Sequence, residues 1–218
     1  MINIALYCGG GLGVEVLSYI SDIRKLDGAI NEVVLVDEMS PRMEDLLQID
    51  KNISHYKSLV ELPKDKKYKV VIAVGDPQLR QKKLKITDDL GFELISIIHP
   101  TAYVASTAKI EEGAIIAPFA FVGPFALLSR NVVLNTYASV GHDSKVGQSS
   151  VLSPYAALNG LASIGVACFL GSKSVVSPRI EMGGNSKLSA GSVLNQDTDR
   201  GALAHGNPAK WRVMFRPE

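Results

Sequence analysis

Residues 128–152 read LSRNVVLNTYASVGHDSKVGQSSVL, and every sixth position in this stretch holds Leu or Val. The same pattern runs without an insertion from Ile98 to Leu194 and gives 17 hexads. A fixed short period of this kind is typical of a stacked-repeat architecture. The aliphatic positions are Ile98, Val104, Ile110, Ile116, Val122, Leu128, Leu134, Val140, Val146, Leu152, Leu158, Ile164, Leu170, Val176, Met182, Leu188 and Leu194.

A second column, made of small residues, lies four positions after each aliphatic residue. It holds Ala, Ser or Thr in 14 of the 17 hexads, and the exceptions are Val132, Cys168 and Ile180. We expect each hexad to form one short strand and one corner, so that three hexads close a triangular coil. Coils then stack at the strand spacing of about 4.8 Å, with both columns facing the interior. A β-sandwich of alternating strands would not keep a period of six residues over 17 hexads.

The first 93 residues follow a different pattern, in which apolar segments alternate with helical segments. Helical periodicity covers residues 14–26 and 78–90, and Asp76 followed by Pro77 is a helix start signal. Alternating strands and helices predict a parallel α/β sheet. The predicted strands are Ile2–Tyr7, 33–38, 69–76 and 92–98. We therefore expect a Rossmann-like domain at residues 1–93 and a repeat domain at residues 94–218 that ends in a C-terminal tail.

A glycine-rich turn at residues 9–13 follows the first predicted strand. Glycines let backbone N–H groups approach a phosphate, and the N-terminus of the next helix favours negative charge. Asp37 and Glu38 end the second predicted strand, where a carboxylate can accept a hydrogen bond from a sugar hydroxyl. A domain this small has no room for a full dinucleotide fold, which argues against a dehydrogenase. A single nucleotide or a nucleotide-sugar fits better, and a purely structural turn is the alternative.

Composition argues against several classes of function. The formal net charge is +1 at pH 7, so no strong field favours nucleic acid or an anionic membrane. The chain has no long apolar run for a membrane helix and no signal-peptide pattern at its start. Cys8 and Cys168 lie in different modules, which indicates a reduced, cytoplasmic protein without a metal site. Since Cys168 falls in the inward column, we expect a buried structural thiol.

His142 is the histidine most suited to chemistry. It lies two residues after the inward-facing Val140, so its side chain is expected to point outward. An imidazole can act as a general base near neutral pH, and a neighbouring carboxylate such as Asp143 can support it. Adjacent residues on a strand point to opposite faces, so this pair can cooperate only if the chain turns a corner there. A solvated surface histidine without a function is the alternative.

The whole chain resembles the bacterial nucleotide-sugar acyltransferases, particularly the UDP-4-amino-sugar N-acetyltransferases of bacillosamine and perosamine pathways and the related sialic acid O-acetyltransferases. This resemblance implies an α/β N-terminal Rossmann-like domain followed by a left-handed parallel β-helix of hexapeptide repeats. It also implies acetyl-CoA as co-substrate, no metal, a nucleotide-linked amino-sugar as acceptor, and a homotrimer with active sites between adjacent β-helices. Besides the hexads, the motifs that carry it are CGGGLG (8–13), VDE (36–38), AVGDPQLR (73–80), NTYASVGHDSKVG (135–147) and GNPAKWR (206–212).

The resemblance also implies roles for individual residues. His142, next to Asp143, would take a proton from the sugar amine as the amine attacks the thioester of acetyl-CoA. Gly160 would offer a backbone N–H to the thioester carbonyl. Leu12 stands where many relatives carry a histidine, so only backbone donation is expected there. The other implied contacts are Gly10, Gly11, Asp37, Glu38, Asp76, Arg80 and Asn135 for the nucleotide-sugar, and Ser172, Ala190 and Lys210 for coenzyme A.

Three other functions remain open at this stage. An O-acetyltransferase could use the same histidine to deprotonate a hydroxyl of sialic acid or another sugar. A β-helix carbonic anhydrase needs three zinc histidines, and only His142 lies well inside the repeat. A non-catalytic scaffold or nucleotide-sugar sensor would not need Asn135, His142 and Asp143 together.

Overall fold

The first domain contains a four-stranded parallel sheet in the order Ser54–Tyr56, Ile30–Val36, Ile2–Tyr7 and Tyr68–Ile72. The computed structural model describes residues 1–39 and 41–214 of the chain. The helices pack around this sheet, and a short 3-10 helix at Leu59–Glu61 precedes β4. The elements are β1 (Ile2–Tyr7), α1 (Gly11–Asp27), β2 (Ile30–Val36), α2 (Met43–Ile49), β3 (Ser54–Tyr56), β4 (Tyr68–Ile72) and α3 (Pro77–Asp89).

The fourth strand of this sheet is not the predicted one. Residues 92–98 were expected to supply it, but only Leu94 forms an isolated bridge, to Val70, and Ile97–Ile98 already belongs to the repeat domain. The short segment Ser54–Tyr56 takes the outer position next to β2 instead. It carries exposed polar side chains and too few residues for an alternating pattern, so its sequence gives no strand signal.

The hexads form two-residue strands that stack every third strand into three parallel sheets, as predicted. The result is a left-handed parallel β-helix. Sheet 1 contains β5 (Ile97–Ile98), β8 (Ile115–Ile116), β11 (Val133–Leu134), β14 (Val151–Leu152), β17 (Phe169–Leu170) and β20 (Lys187–Leu188). Sheet 2 contains β6 (Tyr103–Val104), β9 (Phe121–Val122), β12 (Ser139–Val140), β15 (Ala157–Leu158), β18 (Val175–Val176) and β21 (Val193–Leu194). Sheet 3 contains β7 (Lys109–Ile110), β10 (Leu127–Leu128), β13 (Lys145–Val146), β16 (Ser163–Ile164) and β19 (Glu181–Met182).

The interior of the β-helix is built from the two predicted columns. The aliphatic Val140 and the small Ala156 are both fully buried, as are most of their equivalents in the other coils. Cys168 is also fully buried, and its Sγ lies 3.3 Å from the carbonyl oxygen of Gly183. Burial raises the pKa of the Cys168 thiol to about 11. The expected burial of this thiol is therefore confirmed.

From Phe119 to Asn185, every corner of the β-helix uses the left-handed backbone region. In one coil, Tyr137, Asp143 and Ser149 have φ angles of 59°, 58° and 59°. A residue in this region reverses the chain direction locally, so side chains on either side of the corner come to the same edge of the prism. This geometry matters for the site, because each corner repeats in every coil and produces a continuous edge.

The three faces of the prism have different surroundings. The outer side chains of sheet 1, such as Val133 and Val151, pack into one apolar cluster with Val16 and Ile20 of α1. Sheet 2 leaves Tyr103 and other apolar side chains exposed, whereas sheet 3 presents mainly polar and charged residues. The α/β domain therefore covers one face of the β-helix and leaves the other two open on a single chain.

A C-terminal hairpin closes the end of the β-helix. Its strands, β22 (Ala202–Gly206) and β23 (Ala209–Val213), extend sheet 1, and Trp211 packs against the buried core. Within residues 1–39 and 41–214, no helix has the length and apolar character needed to cross a membrane.

Candidate functional site

A cleft of about 570 Å³ opens at the carboxyl ends of β1, β2 and β4. This is the edge at which parallel α/β sheets bind ligands. We call it the glycine cleft. Five of the eight residues expected to bind the nucleotide-sugar lie in its wall. The lining residues are Cys8, Gly10, Gly11, Leu12, Asp37, Glu38, Met39, Ala73, Val74, Gly75, Leu79 and Lys83.

Asp37 holds the glycine turn in place. Its Oδ2 accepts a hydrogen bond of 2.6 Å from the Gly9 N–H, and its Oδ1 accepts one of 2.9 Å from the Met39 N–H. The side chain is buried. The turn also needs Gly13, because a Cβ there would collide with the carbonyl oxygen of Cys8. The carboxylate of Asp37 thus fixes the loop that presents the N-terminus of α1 to the cleft.

Lys83 is a component of the cleft that the sequence patterns did not indicate. Its ammonium donates to Glu38 Oε1 at 2.6 Å and to the Tyr7 hydroxyl at 3.2 Å, and it lies 4.5 Å from the centre of the Tyr7 ring. Burial lowers the pKa of Lys83, but these two hydrogen bonds outweigh it and leave the pKa raised. A charged lysine therefore orients the exposed carboxylate of Glu38 at the cleft.

Cys8 forms part of the cleft wall and has an unusual backbone. Its φ is 85°, a region that non-glycine residues rarely adopt. Burial raises the pKa of the Cys8 thiol to about 11, so the thiol is neutral at pH 7. No signal in the sequence beyond its place before three glycines marks this position.

Three residues expected at the nucleotide-sugar lie outside the cleft wall, and two of them, Arg80 and Asp76, belong to the α/β domain. Arg80 is fully buried behind the cleft and donates to carbonyl oxygens of the α/β domain and the β-helix, so its guanidinium cannot reach a ligand. That expectation was wrong, because a charged side chain is seldom fully buried and its sequence context gave no sign of it. Asp76 caps α3 by accepting from the Leu79 N–H at 2.9 Å, as the helix signal predicted, and does not line the cleft.

A second candidate site lies on the corner between sheets 2 and 3, which we call the histidine edge (His142, Asp143 and Gly160). The chain turns a corner at Asp143, and His142 Nδ1 lies 2.8 Å from Asp143 Oδ2. The geometric condition for cooperation between these neighbours is thus met. Because a carboxylate only accepts hydrogen bonds, Nδ1 carries the proton and Nε2 is left free to act as a base.

The imidazole of His142 lies directly against Gly160. The His142 carbonyl oxygen accepts from the Leu161 N–H at 2.9 Å, which places Gly160 one coil beyond the histidine. A Cβ at Gly160 would collide with Nε2 and would lie 2.8 Å from Cε1. The Gly160 N–H donates to none of the residues that the structure describes. The edge therefore combines a free imidazole nitrogen with an unused backbone donor.

The other expected contacts lie on the corner between sheets 1 and 2. We call it the aromatic edge, after the stacked rings of Phe119, Tyr137 and Tyr155. Asn135 follows β11 at this corner and donates to the Leu152 carbonyl oxygen at 3.0 Å. Ser172 and Ala190 lie there in successive coils and are exposed, whereas Lys210 belongs to the C-terminal hairpin. On one chain, sheet 2 separates these residues from His142.

The residues of the histidine edge can perform a proton transfer next to an oxyanion. The imidazole can remove a proton from a nucleophile, and a backbone N–H beside it can stabilise negative charge on a carbonyl oxygen. Within residues 1–39 and 41–214, no cluster of three His, Cys, Asp or Glu side chains has an arrangement that could bind a metal ion.

Comparison with known proteins agrees with these observations. Residues 3–86 match the family described as the PglD N-terminal domain. The acetyltransferase domain of PglB from Neisseria gonorrhoeae FA1090, solved with acetyl coenzyme A, is 26% identical and superposes with a TM-score of 0.83 over 95% of this chain and 98% of that one. A variant of perosamine N-acetyltransferase from Caulobacter crescentus, solved with CoA and GDP-perosamine, is 26% identical with a TM-score of 0.83 over 96% of each chain.

The chain resembles the hexapeptide-repeat sugar N-acetyltransferases. The resemblance extends over nearly the whole chain and includes both domains. WeeI from Acinetobacter baumannii AYE, at 19% identity and a TM-score of 0.82 over 97% of this chain and all of that one, shares the fold. The resemblance predicted from the sequence motifs and the fold class predicted from the hexads are both confirmed.

Proposed function

We propose that the protein is an acetyl-CoA-dependent N-acetyltransferase that acts on the amine of a nucleotide-linked 4-amino-sugar in bacterial glycan biosynthesis. The observation that carries this proposal is the pairing of His142 with Asp143 directly beneath Gly160. The two similar structures solved with acetyl coenzyme A, or with CoA and GDP-perosamine, support the donor and the class of acceptor. For this chain we propose UDP as the nucleotide.

The reaction needs one base and one oxyanion donor. His142 Nε2 takes a proton from the sugar amine while the amine nitrogen attacks the carbonyl carbon of the thioester. The Gly160 N–H donates to the oxyanion of the tetrahedral intermediate. When the intermediate collapses, the carbon–sulfur bond breaks and the imidazolium returns its proton to the leaving thiolate. Asp143 keeps the imidazole in the required tautomer, and no acyl-enzyme forms.

We assign the nucleotide to the glycine cleft. The N-terminus of α1 at Gly10 and Gly11 provides backbone N–H groups and a favourable dipole for a diphosphate. Glu38, oriented by Lys83, is positioned to accept hydrogen bonds from a sugar hydroxyl. The unpaired thiols of Cys8 and Cys168 are consistent with the cytoplasmic location that we propose.

We propose a homotrimer in which the exposed sheet 2 faces the neighbouring subunits. Tyr103 and Phe121 stack on this sheet, and the rings of the aromatic edge continue the apolar surface around one corner. Exposed apolar surface of this extent marks an interaction site. In a ring of three prisms, the histidine edge of one chain meets the aromatic edge of the next, so Ser172 and Ala190 of that neighbour would bind coenzyme A beside His142. Lys210 would bind its phosphates.

The proposal is tested by release of free thiol from acetyl-CoA with a panel of acceptors. The panel contains UDP- and GDP-linked 4-amino-sugars and free sialic acid. Turnover with a nucleotide-linked amino-sugar supports the proposal. Turnover with the UDP-linked but not the GDP-linked sugar supports UDP as the nucleotide. Turnover with sialic acid alone would instead establish an O-acetyltransferase, and the absence of thiol release would contradict the use of acetyl-CoA.

Two variants identify the base in the same assay. His142→Asn removes the basic nitrogen while keeping a side chain that can contact Asp143. Lys145→Ala is the matched control, because Lys145 is exposed on sheet 3 two residues beyond Asp143. Loss of turnover in the first variant alone supports His142 as the base, whereas equal activity in both would exclude it.

A further inference from the structure

Arg80 is a buried cation without a carboxylate partner. It is fully buried, and its Nη1 donates to the carbonyl oxygens of Ile72 at 2.6 Å and Val74 at 2.9 Å. Its Nε and Nη2 donate to the Asn131 carbonyl oxygen at 3.0 and 2.8 Å, and Nη2 also donates to Asn131 Oδ1. Among the described residues, no Asp or Glu forms an ion pair with it. Burying a charge is costly, and for Arg80 only hydrogen bonds to neutral acceptors offset this cost.

The guanidinium lies directly behind the glycine cleft. Val74, which accepts one of its hydrogen bonds, lines the cleft together with Ala73 and Gly75. Leu79 and Lys83, on the same helix, line it as well. The guanidinium of Arg80 is therefore hydrogen-bonded to the backbone of the cleft wall from its buried side.

The other charges at the cleft do not favour an anion. Its lining residues include two carboxylates, Asp37 and Glu38, and one ammonium, Lys83, which is already paired with Glu38 at 2.6 Å. Without Arg80 these groups have a net charge of −1, and with Arg80 they are neutral. Burial lowers the pKa of Arg80 to about 9, so it stays charged at neutral pH. A charge in a water-poor interior also acts at longer range than one at the surface.

We propose that Arg80 determines the specificity of the glycine cleft for a nucleoside diphosphate, by supplying a positive charge from behind its wall without touching the ligand. This inference rests on the proposed assignment of the nucleotide to the cleft. It predicts that the gain in ligand affinity due to Arg80 grows with the number of phosphates on the ligand. A nucleoside without phosphate gains nothing from it.

Asn131→Asp tests the charge with little change of shape. An aspartate tolerates the φ of 60° at this position. Its carboxylate keeps an acceptor for Arg80 and pairs the guanidinium with a negative charge. Asn131→Ala is the control, since both variants lose the Nδ2 donor to the Arg80 carbonyl oxygen and to Ser149 Oγ, and the alanine adds no charge. Calorimetry with uridine, UMP and UDP, and with the guanosine series, gives the Kd values for the full-length protein.

We expect Asn131→Asp to weaken diphosphate binding about tenfold relative to Asn131→Ala, monophosphate binding less, and nucleoside binding not at all. If Asn131→Asp and Asn131→Ala bind UDP with the same Kd, and GDP likewise, the inference is overturned while the proposed function stays intact. If the wild-type protein binds neither diphosphate, both the cleft assignment and the inference are wrong. Should Asn131→Asp fail to fold, Arg80→Met, which removes the charge, is compared with Arg80→Lys, which keeps it. If these two variants bind the diphosphate with the same Kd, the inference is overturned.

Discussion

The glycine cleft and the histidine edge differ in how much of a site one chain provides. One chain supplies the lining of the cleft, with its loop held by Asp37 and the carboxylate of Glu38 oriented by Lys83. At the histidine edge, the side chain of His142 is 60% exposed and its expected coenzyme contacts lie on the opposite corner of sheet 2. Ligand binding and chemistry should therefore respond differently to mutation, since in the proposed trimer only the chemistry depends on a neighbouring subunit.

The largest expected effect separates the two sites directly. His142→Asn should lower kcat by about 10²- to 10⁴-fold, because it removes the general base. The Kd of the nucleotide should not change, since the glycine cleft contains no residue of this edge. Steady-state thiol release and calorimetry on the same preparation check both parts. A weaker nucleotide Kd in this variant would show that the two sites are not independent.

Gly160→Ala should lower kcat by about 10²-fold, because an ångström-scale misplacement of a catalytic group costs that much. The added methyl group would occupy the space of the His142 ring and push it away from the oxyanion donor. Leu161→Ala is the control, as Leu161 is the next residue and is 45% exposed. Similar rates in both variants would mean that the contact between Gly160 and His142 has no part in the reaction.

Phe121→Glu should dissociate the oligomer and lower turnover roughly tenfold at low protein concentration, since an assembled site then depends on mass action. Phe121 is exposed on sheet 2 of a single chain. In the proposed trimer this position would be buried, and burying a carboxylate there would be costly. Lys145→Glu on sheet 3 is the matched control. Light scattering measures the mass of each variant, and an unchanged trimer for Phe121→Glu would place the interface elsewhere.

The smallest expected effect concerns the two thiols. Cys8 should react slowly with iodoacetamide at pH 7, and faster as the pH rises toward its pKa of about 11. A bound nucleoside diphosphate should slow this reaction, because Cys8 lines the glycine cleft. Cys168, fully buried, should stay unmodified in the folded protein. Mass spectrometry of alkylated peptides checks these expectations, and modification of Cys168 before Cys8 would contradict them.

The repeat domain could be predicted well because its signal is repeated. Each hexad confirms the phase of the others, so the columns through Val140 and Ala156 identified the interior correctly. Cooperation between His142 and Asp143 required a corner at Asp143, but the sequence did not establish that the chain turns there. The φ of 58° at Asp143 and the contact with His142 needed the structure.

The α/β domain gave weaker signals because each element occurs once. The strand Ser54–Tyr56 is short and polar, so neither composition nor alternation indicated it. Arg80 was expected at the ligand only because the resemblance implies it, although charged side chains are seldom fully buried. Its burial depends on acceptors from Ile72, Val74 and Asn131, which come together only in the folded chain.

The central claim is that His142 of one chain works with the aromatic edge of its neighbour. A complementation assay tests it by mixing two inactive variants, His142→Asn and Ala190→Trp, under conditions that exchange subunits. Random mixing in a cyclic trimer pairs an intact histidine edge with an intact aromatic edge at about a quarter of the interfaces. We therefore predict a turnover rate near that fraction of the wild-type rate. Mixed trimers without any recovered thiol release would contradict a site shared between subunits.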